Sequence, residues 1–299
     1  MAFVTPGNEP TTFVFGGYTE TADGQRHVAN DLWKFHNGNW ERVDTSGDIP
    51  APRLVGAMVA DPHKNVAYLF GGWNADAADS SDQILDTVHA LNLETMEWKL
   101  LDCKLPDGPT SRHVAVVTPS GRIVLHTHRC IDHVIVFDPS NHSFSKQTTT
   151  GTAPSSRGLH AATAFDDTTI CIFGGASQDQ TMSNECFFLD TDTWKWTKVP
   201  ASDDMPRPRA APVICSHQGC VFMFGGAEAT QNGLNPLDDL WKLTGGTTWD
   251  EVVVEDGATV PPSRNAATLT ETSEGFLLTG GWDPFRETRD DSHLLHVNH

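Results

Sequence analysis

The densest run of metal-ligating side chains in the sequence is His126-Thr127-His128-Arg129-Cys130, with Asp132 and His133 close behind. On an extended backbone successive side chains alternate, so His126 and His128 share one side and Cys130 follows near a turn. Two imidazoles and a thiolate placed so suit zinc or iron. Spacing alone does not build such a site, and the bland reading is a histidine-rich hairpin with no metal. A second chemistry comes from five arginines that each follow a proline or a serine: Arg53, Arg112, Arg157, Arg209 and Arg264. A guanidinium fork matches carboxylate and phosphate geometry, which points to an acidic or phosphorylated ligand. Six acids, Asp31, Asp86, Asp132, Glu185, Asp239 and Asp291, recur at a fixed place downstream. They offer the opposite reading, in which each arginine is neutralised within the framework.

The elements that carry these residues repeat. Gly-Gly pairs close β-rich runs at Phe13 to Gly17, Tyr68 to Gly72, Ile170 to Gly175, Val221 to Gly226 and Phe276 to Gly281. Arg122 to Thr127 is a sixth run without the glycines, with His126 and Thr127 read in their place. An arginine-headed strand of small residues precedes each run but the first, where Met1 to Thr5 stands without an arginine. After each run come a polar loop, a strand opening on an acid, and a strand carrying an aromatic at Trp40, Trp98, Phe144, Trp196 or Trp249. Arginines at 53, 112, 157, 209 and 264 step along the chain with a period near 50. High β-propensity, glycine and proline punctuation and no sustained helical period predict four short antiparallel strands per unit and a radial all-β array.

This pattern resembles the kelch family across essentially the whole chain. The resemblance implies a single domain over 1–299, a six-bladed kelch β-propeller of four-stranded antiparallel blades at about 1–47, 48–105, 106–151, 152–203, 204–258 and 259–299. No candidate appears for the outer strand of blade 6, so either that blade has three strands or the natural chain continues.

Strand direction alternates within a blade, so the arginine-headed strand and the loop after the glycines open on one side. Those loops, 18–30, 73–85, 128–131, 176–184, 227–238 and 282–290, differ in length, whereas the turns on the other side are tight. Uneven loops on a rigid scaffold are where binding residues collect. Tyr18, Trp73 and Trp282 follow the glycine pairs of blades 1, 2 and 6 and read either as a contact stretch or as packing between blades. In kelch domains that capture acidic peptides similar arginines line the binding mouth, so Arg53, Arg112, Arg157, Arg209 and Arg264 join these aromatics as the expected partner-binding set.

Plant specifier proteins, a kelch group, bind iron through E-x-x-x-D-x-x-x-H. Glu287 and Asp291 match its first two positions, but Leu295 holds the third and His296 is one residue out, which on a strand turns the ring to the other face. No nucleophile elbow, P-loop or dinucleotide fingerprint is present. The reading is therefore a protein-interaction scaffold or adaptor with no cofactor and no catalytic residue. Its alternative is an iron or zinc enzyme with its site at the propeller mouth.

A formal charge of −19, from 39 acids against 20 bases, removes the attraction that draws proteins to nucleic acid or anionic lipid. Without a signal-like N-terminus or a long apolar run, the chain is expected to be cytoplasmic, monomeric and off the membrane. Cys103, Cys130, Cys171, Cys186, Cys215 and Cys220 form no CxxC pair and are expected as thiols.

Overall fold

The computed structural model describes residues 1–5, 11–21, 23–36, 38–253, 259–283 and 288–296. The chain divides into two compact units, residues 1–129 with 134–146, and residues 130–133 with 147–299. Apart from one turn of 3-10 helix at Ser80–Asp82, the regular structure of the described residues is β.

Blade 1 in the first unit has the strands Ala2–Val4, Thr12–Glu20, Arg26–His36 and Asn39–Val43, hydrogen-bonded in chain order. Blade 2 has Ala57–Ala60, Val66–Trp73, Ile84–Asn92 and Glu97–Lys104, and blade 3 has Val114–Val117, Ile123–His126, His133–Asp138 and Ser143–Thr148. The second unit repeats the pattern. Blade 4 is Ala161–Ala164, Thr169–Phe173, Cys186–Asp190 and Lys195–Lys198, and blade 5 is Val213–His217, Cys220–Phe224, Leu240–Thr244 and Thr248–Glu251. Blade 6 has Thr268–Thr272, Gly275–Thr279 and Ser292–Leu295, and its sheet has three strands among the described residues.

The second strands are the most buried because they lie between sheet faces. Tyr68, Leu69, Phe70, Cys171, Phe173, Val221 and Met223 are nearly or wholly inaccessible. The outer-strand aromatics close the gaps between blades: Trp98 packs on Phe15 of the preceding blade at 5.0 Å, and Trp249 on Phe173 at 5.1 Å. Aromatic pairs of this kind add about 0.5–1.5 kcal/mol beyond the area they bury.

The glycine pairs follow from backbone crowding. Register slips by one residue between Phe15 and Gly17 and between Phe70 and Gly72, where two third-strand residues, Asn30 and Asp31 or Asp86 and Thr87, stand opposite the first glycine of the pair. Gly16 and Gly71 take φ of 59° and 52°, and a Cβ on either would lie 2.6 Å from the carbonyl oxygen of Arg53 or Thr110 in the next blade. Only glycine meets both conditions.

Two features lie outside the sequence reading. Ser46–Gly47 and Thr150–Gly151 add a fifth, parallel strand to blades 2 and 4, beside Glu97–Lys104 and Lys195–Lys198. The long loops are also structured: the second and third strands of blade 1 extend into a hairpin ending at Glu20 and Arg26, and blade 5 carries a hairpin of Ala227–Thr230 with Gly233–Pro236.

Candidate functional site

Each blade opens its first strand on the side that bears the loop between the second and third strands. In blades 2, 4, 5 and 6 the arginine folds back into that loop. Arg53, Arg157, Arg209 and Arg264 are 1%, 2%, 0% and 0% exposed. Nε of each donates to the carbonyl two residues earlier, Ala51, Ser155, Arg207 or Pro262, at 3.0 Å. Nη1 donates to the carbonyl of the first glycine of the pair, Gly71, Gly174, Gly225 or Gly280, at 2.9–3.2 Å. The guanidinium thus satisfies carbonyls that the strand ladder leaves open.

The acid that begins the third strand completes three of these sockets. Arg209 grips Asp239 through 2.5 and 2.7 Å bonds, Arg264 grips Asp291 through 2.6 and 2.9 Å bonds, and Arg157 donates to Glu185 at 2.6 Å. Burial by itself would raise the Glu185 and Asp291 carboxyls, but hydrogen bonds from their arginines, with Lys198 and His293 assisting, hold both down at about 2. Blade 2 differs. Asp86 pairs with Lys104 at 3.1 Å, and Arg53 takes the Thr87 hydroxyl at 3.2 Å instead. With no carboxylate partner to offset burial, the Arg53 guanidinium falls to about 10.

Four of the five arginines expected to face a ligand are therefore framework residues with no guanidinium surface to offer. The fifth is not their equivalent. The carbonyls of Arg53, Arg209 and Arg264 accept the second-glycine amides of Gly17, Gly175 and Gly226 at 2.9–3.0 Å, and the carbonyl that accepts from Gly72 belongs to Thr110. Thr110 holds the arginine position of blade 3. Arg112 stands two residues on, where Val55, Leu159, Ala211 and Ala266 stand in the other blades, and all five have φ between 47° and 59°. The same register pairs His126 with Val114 as Phe70 pairs with Ala57, so Thr127 and His128, rather than His126 and Thr127, occupy the glycine positions.

The offset exposes Arg112. Its guanidinium carbon lies 5.4 Å from the ring centre of Trp73, a half-buried side chain whose backbone exchanges two hydrogen bonds with Leu54. Arg129, also exposed, donates to the Pro109 carbonyl at 3.1 Å beside the same strand. Blade 3 thus presents two accessible guanidinium groups beside an indole of blade 2 on the loop side of the first unit. Tyr18, in the same unit, is 39% exposed. Trp282, in the second unit, is half-buried and bonds with Asn265 through both backbone groups at 2.8 and 3.1 Å.

The metal candidates do not converge. Among the described residues no three His, Cys, Asp or Glu side chains form a group able to hold a metal. His126 and Cys130 are buried, and burial followed by the Arg129 charge lowers the pKa of the half-buried His128. Asp291 is taken by Arg264 and by His293, and His296 meets the Glu274 carbonyl at 2.9 Å. Glu287 lies outside the described residues. All six cysteines are free thiols, and Cys171 and Cys186 bring their sulfurs to 3.6 Å. Sequence reasoning also missed two buried neutral histidines, His89 and His113, whose pKa values burial pushes down to about 4. Their only sequence signal is a place among apolar strand neighbours.

Six sheets built on one strand pattern, with glycine pairs and arginine sockets recurring from blade to blade, define the class as a six-bladed kelch β-propeller. A profile of the KLHDC2/KLHL20/DRC7 Kelch-repeats domain matches residues 4–126 and 120–299, and the chain belongs to this kelch-repeat family. Kelch domain-containing protein 2 of Bos taurus is 24% identical over 266 residues, 77% of this chain and 63% of that protein. Acyl-CoA-binding domain-containing protein 4 of Arabidopsis thaliana is 26% identical over 263 residues, 82% of this chain and 37% of that protein. Host cell factor 2 of Homo sapiens is 25% identical over 274 residues, 77% of this chain and 34% of that protein. The chain spans between about a third and under two thirds of these relatives. Propellers of this family typically mediate protein–protein interactions. No described helix is long and apolar enough to cross a membrane.

Proposed function

We propose that the chain is an interaction scaffold whose loop side in blade 3 binds an acidic or phosphorylated segment of a partner protein. The observation that carries this reading is the displacement of Arg112 out of the socket register. Every other inner-strand arginine is buried on carbonyls, while Arg112 is exposed above Trp73 with Arg129 beside the same strand. A chain with a formal charge of −19 that presents two guanidinium groups next to an indole has a local site for carboxylate or phosphate. The half-buried Trp73 supplies the rigid apolar area on which contact energy concentrates. Tyr18 and Trp282 are further contacts in this reading, each on the loop side of its own unit.

The test is affinity capture of partners by the intact chain and by Arg112→Ala, Arg129→Ala and Trp73→Ala variants, with circular dichroism to confirm folding. Loss of the same partners in all three variants, together with weaker capture by the wild type as salt rises, supports the reading. Retention of every partner by the folded Arg112→Ala/Arg129→Ala double variant overturns it.

A further inference from the structure

Phe70, Phe173, Phe224 and Thr279 each precede a glycine pair, and the residue before the third-strand partner of each is Thr87, Glu185, Asp239 or Asp291. In blades 4, 5 and 6 that residue is the carboxylate held by Nη2 of the socket arginine at 2.6–2.9 Å. In blade 2 a hydroxyl takes its place, and Asp86 stands one residue early, turned to Lys104. Arg53 keeps the other socket bonds. Its Nε donates to Ala51, and its Nη1 donates to Gly71 and to the Thr87 hydroxyl. Its Nη2 has no hydrogen-bond partner, yet it is not among the partnerless polar atoms sealed from solvent. Thr87 accepts from Arg53 at 3.2 Å, so its own hydroxyl hydrogen is left to donate, and the residue is half-buried.

We infer that the blade 2 socket binds a carboxylate from outside the chain, with Arg53 Nη2 and the Thr87 hydroxyl as its two donors. A guanidinium N–H beside an O–H, with no acceptor between them, matches the two oxygens of a carboxylate. The sockets of blades 4, 5 and 6 show such a group in that place. Charge argues the same way. Arg157, Arg209 and Arg264 each have a carboxylate against the buried guanidinium, whereas Arg53, 1% exposed, has none, and burial alone accounts for its lowered pKa. An uncompensated buried charge is costly, so an anion that reaches it is held firmly. Lys104 lies opposite Thr87 in the strand register, with its side chain 71% exposed at the rim. Its bond to Asp86 is a surface pair of small worth, and a carboxylate on Arg53 would draw it inward. Blade 4 has that arrangement built in, with Glu185 between Arg157 at 2.6 Å and Lys198 at 2.5 Å. The carboxylate comes from a small free acid or from an aspartate or glutamate of a partner, which present the same two oxygens. The recess is reached past Thr87 and lies within one blade, so it stands whether or not Arg112 contacts a partner.

The probes are sodium acetate, a free carboxylate, and N-acetyl-aspartate α-amide, a mimic of a partner's side chain. Each is titrated into the intact chain against sodium chloride at equal ionic strength, with the urea midpoint as the readout. A saturable rise that chloride does not give is expected. Thr87→Val should move half-saturation to at least about tenfold higher probe concentration, because one hydrogen bond to a charged group is lost. Thr87→Asp supplies the carboxylate from within, so it should raise the midpoint without any probe and abolish the response to both. Tighter binding of the aspartate mimic supports the site and assigns it to a partner's side chain, whereas tighter binding of acetate supports it and assigns it to a free acid. A response that chloride reproduces, or that survives unchanged in Thr87→Val, overturns the inference. Absence of any response overturns it too, as does a response lost in Arg112→Ala, which would place the ion on the other surface.

Discussion

Arg209 and Asp239 hold each other through two parallel hydrogen bonds of 2.5 and 2.7 Å, and the arginine has no solvent exposure. Because Nη1 also serves the Gly225 carbonyl and Nε the Arg207 carbonyl, truncation strands two carbonyls and a carboxylate at once. Arg209→Ala is expected to cost about 3–5 kcal/mol in urea unfolding. Arg112→Ala should cost under about 1 kcal/mol, since an exposed guanidinium over an indole is worth no more. Equal losses in the two variants would refute the register that separates them.

Acid should weaken the fold in two stages. His89 and His113 stay neutral in the folded chain to about pH 4, whereas in the unfolded chain they bind protons near 6.5. Their lowered folded pKa means that no stability is lost above 6.5. Below it the unfolded state gains protons that the folded state refuses, until the effect is complete near pH 4. For the fully buried His113 this amounts to about 3 kcal/mol. Glu185 and Asp291, held at about 2, contribute stability above their unfolded values near 4 and lose it as pH falls further. The urea midpoint should therefore already fall between pH 7 and pH 5. His113→Leu should flatten that slope whatever it does to absolute stability, and an unchanged slope would rule His113 out as its source.

Gly47 and Gly151 have φ of 78° and 79°, and a Cβ on either would overlap the carbonyl oxygen of Trp98 or Trp196. Both sit in the two-residue parallel strands that fasten a connecting segment to a blade edge. Left-handed backbone costs a non-glycine residue about 1–2 kcal/mol before any overlap. Gly47→Ala and Gly151→Ala should each lower the unfolding free energy by about 2 kcal/mol or more, whereas Gly108→Ala, where a Cβ meets nothing, should cost only the backbone strain. Equal costs at Gly47 and Gly108 would mean that the parallel strand adds nothing.

The blade frame was legible because its signals are local and repeated. Gly-Gly pairs, alternating apolar strands and outer aromatics such as Trp98, Trp196 and Trp249 recur at similar spacing, and all three of these indoles are buried. The state of an arginine was not legible, since the same residue type serves Arg209 inside a socket and Arg112 outside one. The offset at Arg112 was masked by the serine before it, which copies Ser156-Arg157 and Ser263-Arg264 and so misaligned blade 3 by two residues. Strands of two residues, Ser46–Gly47 and Thr150–Gly151, are too short to carry a periodicity at all.

Thr110 gives the sharpest check on that misalignment. It fills the socket position of blade 3 with a side chain shorter than a guanidinium, and Thr127 there lacks the left-handed φ of the glycines whose carbonyls the other sockets serve. The Thr110 hydroxyl is buried, the residue being 2% exposed, and it finds no hydrogen-bond partner. A buried hydroxyl without a partner costs about 1–3 kcal/mol, so an apolar residue of the same shape should do better. Thr110→Val is expected to raise the unfolding free energy by about 1 kcal/mol while leaving partner capture intact. The equivalent change at a socket that is in use, Arg264→Val, should lower it by several kcal/mol because Gly280 and Asp291 lose their donor. If Thr110→Val destabilises the chain instead, the hydroxyl has a partner in solution and blade 3 retains a polar socket of its own.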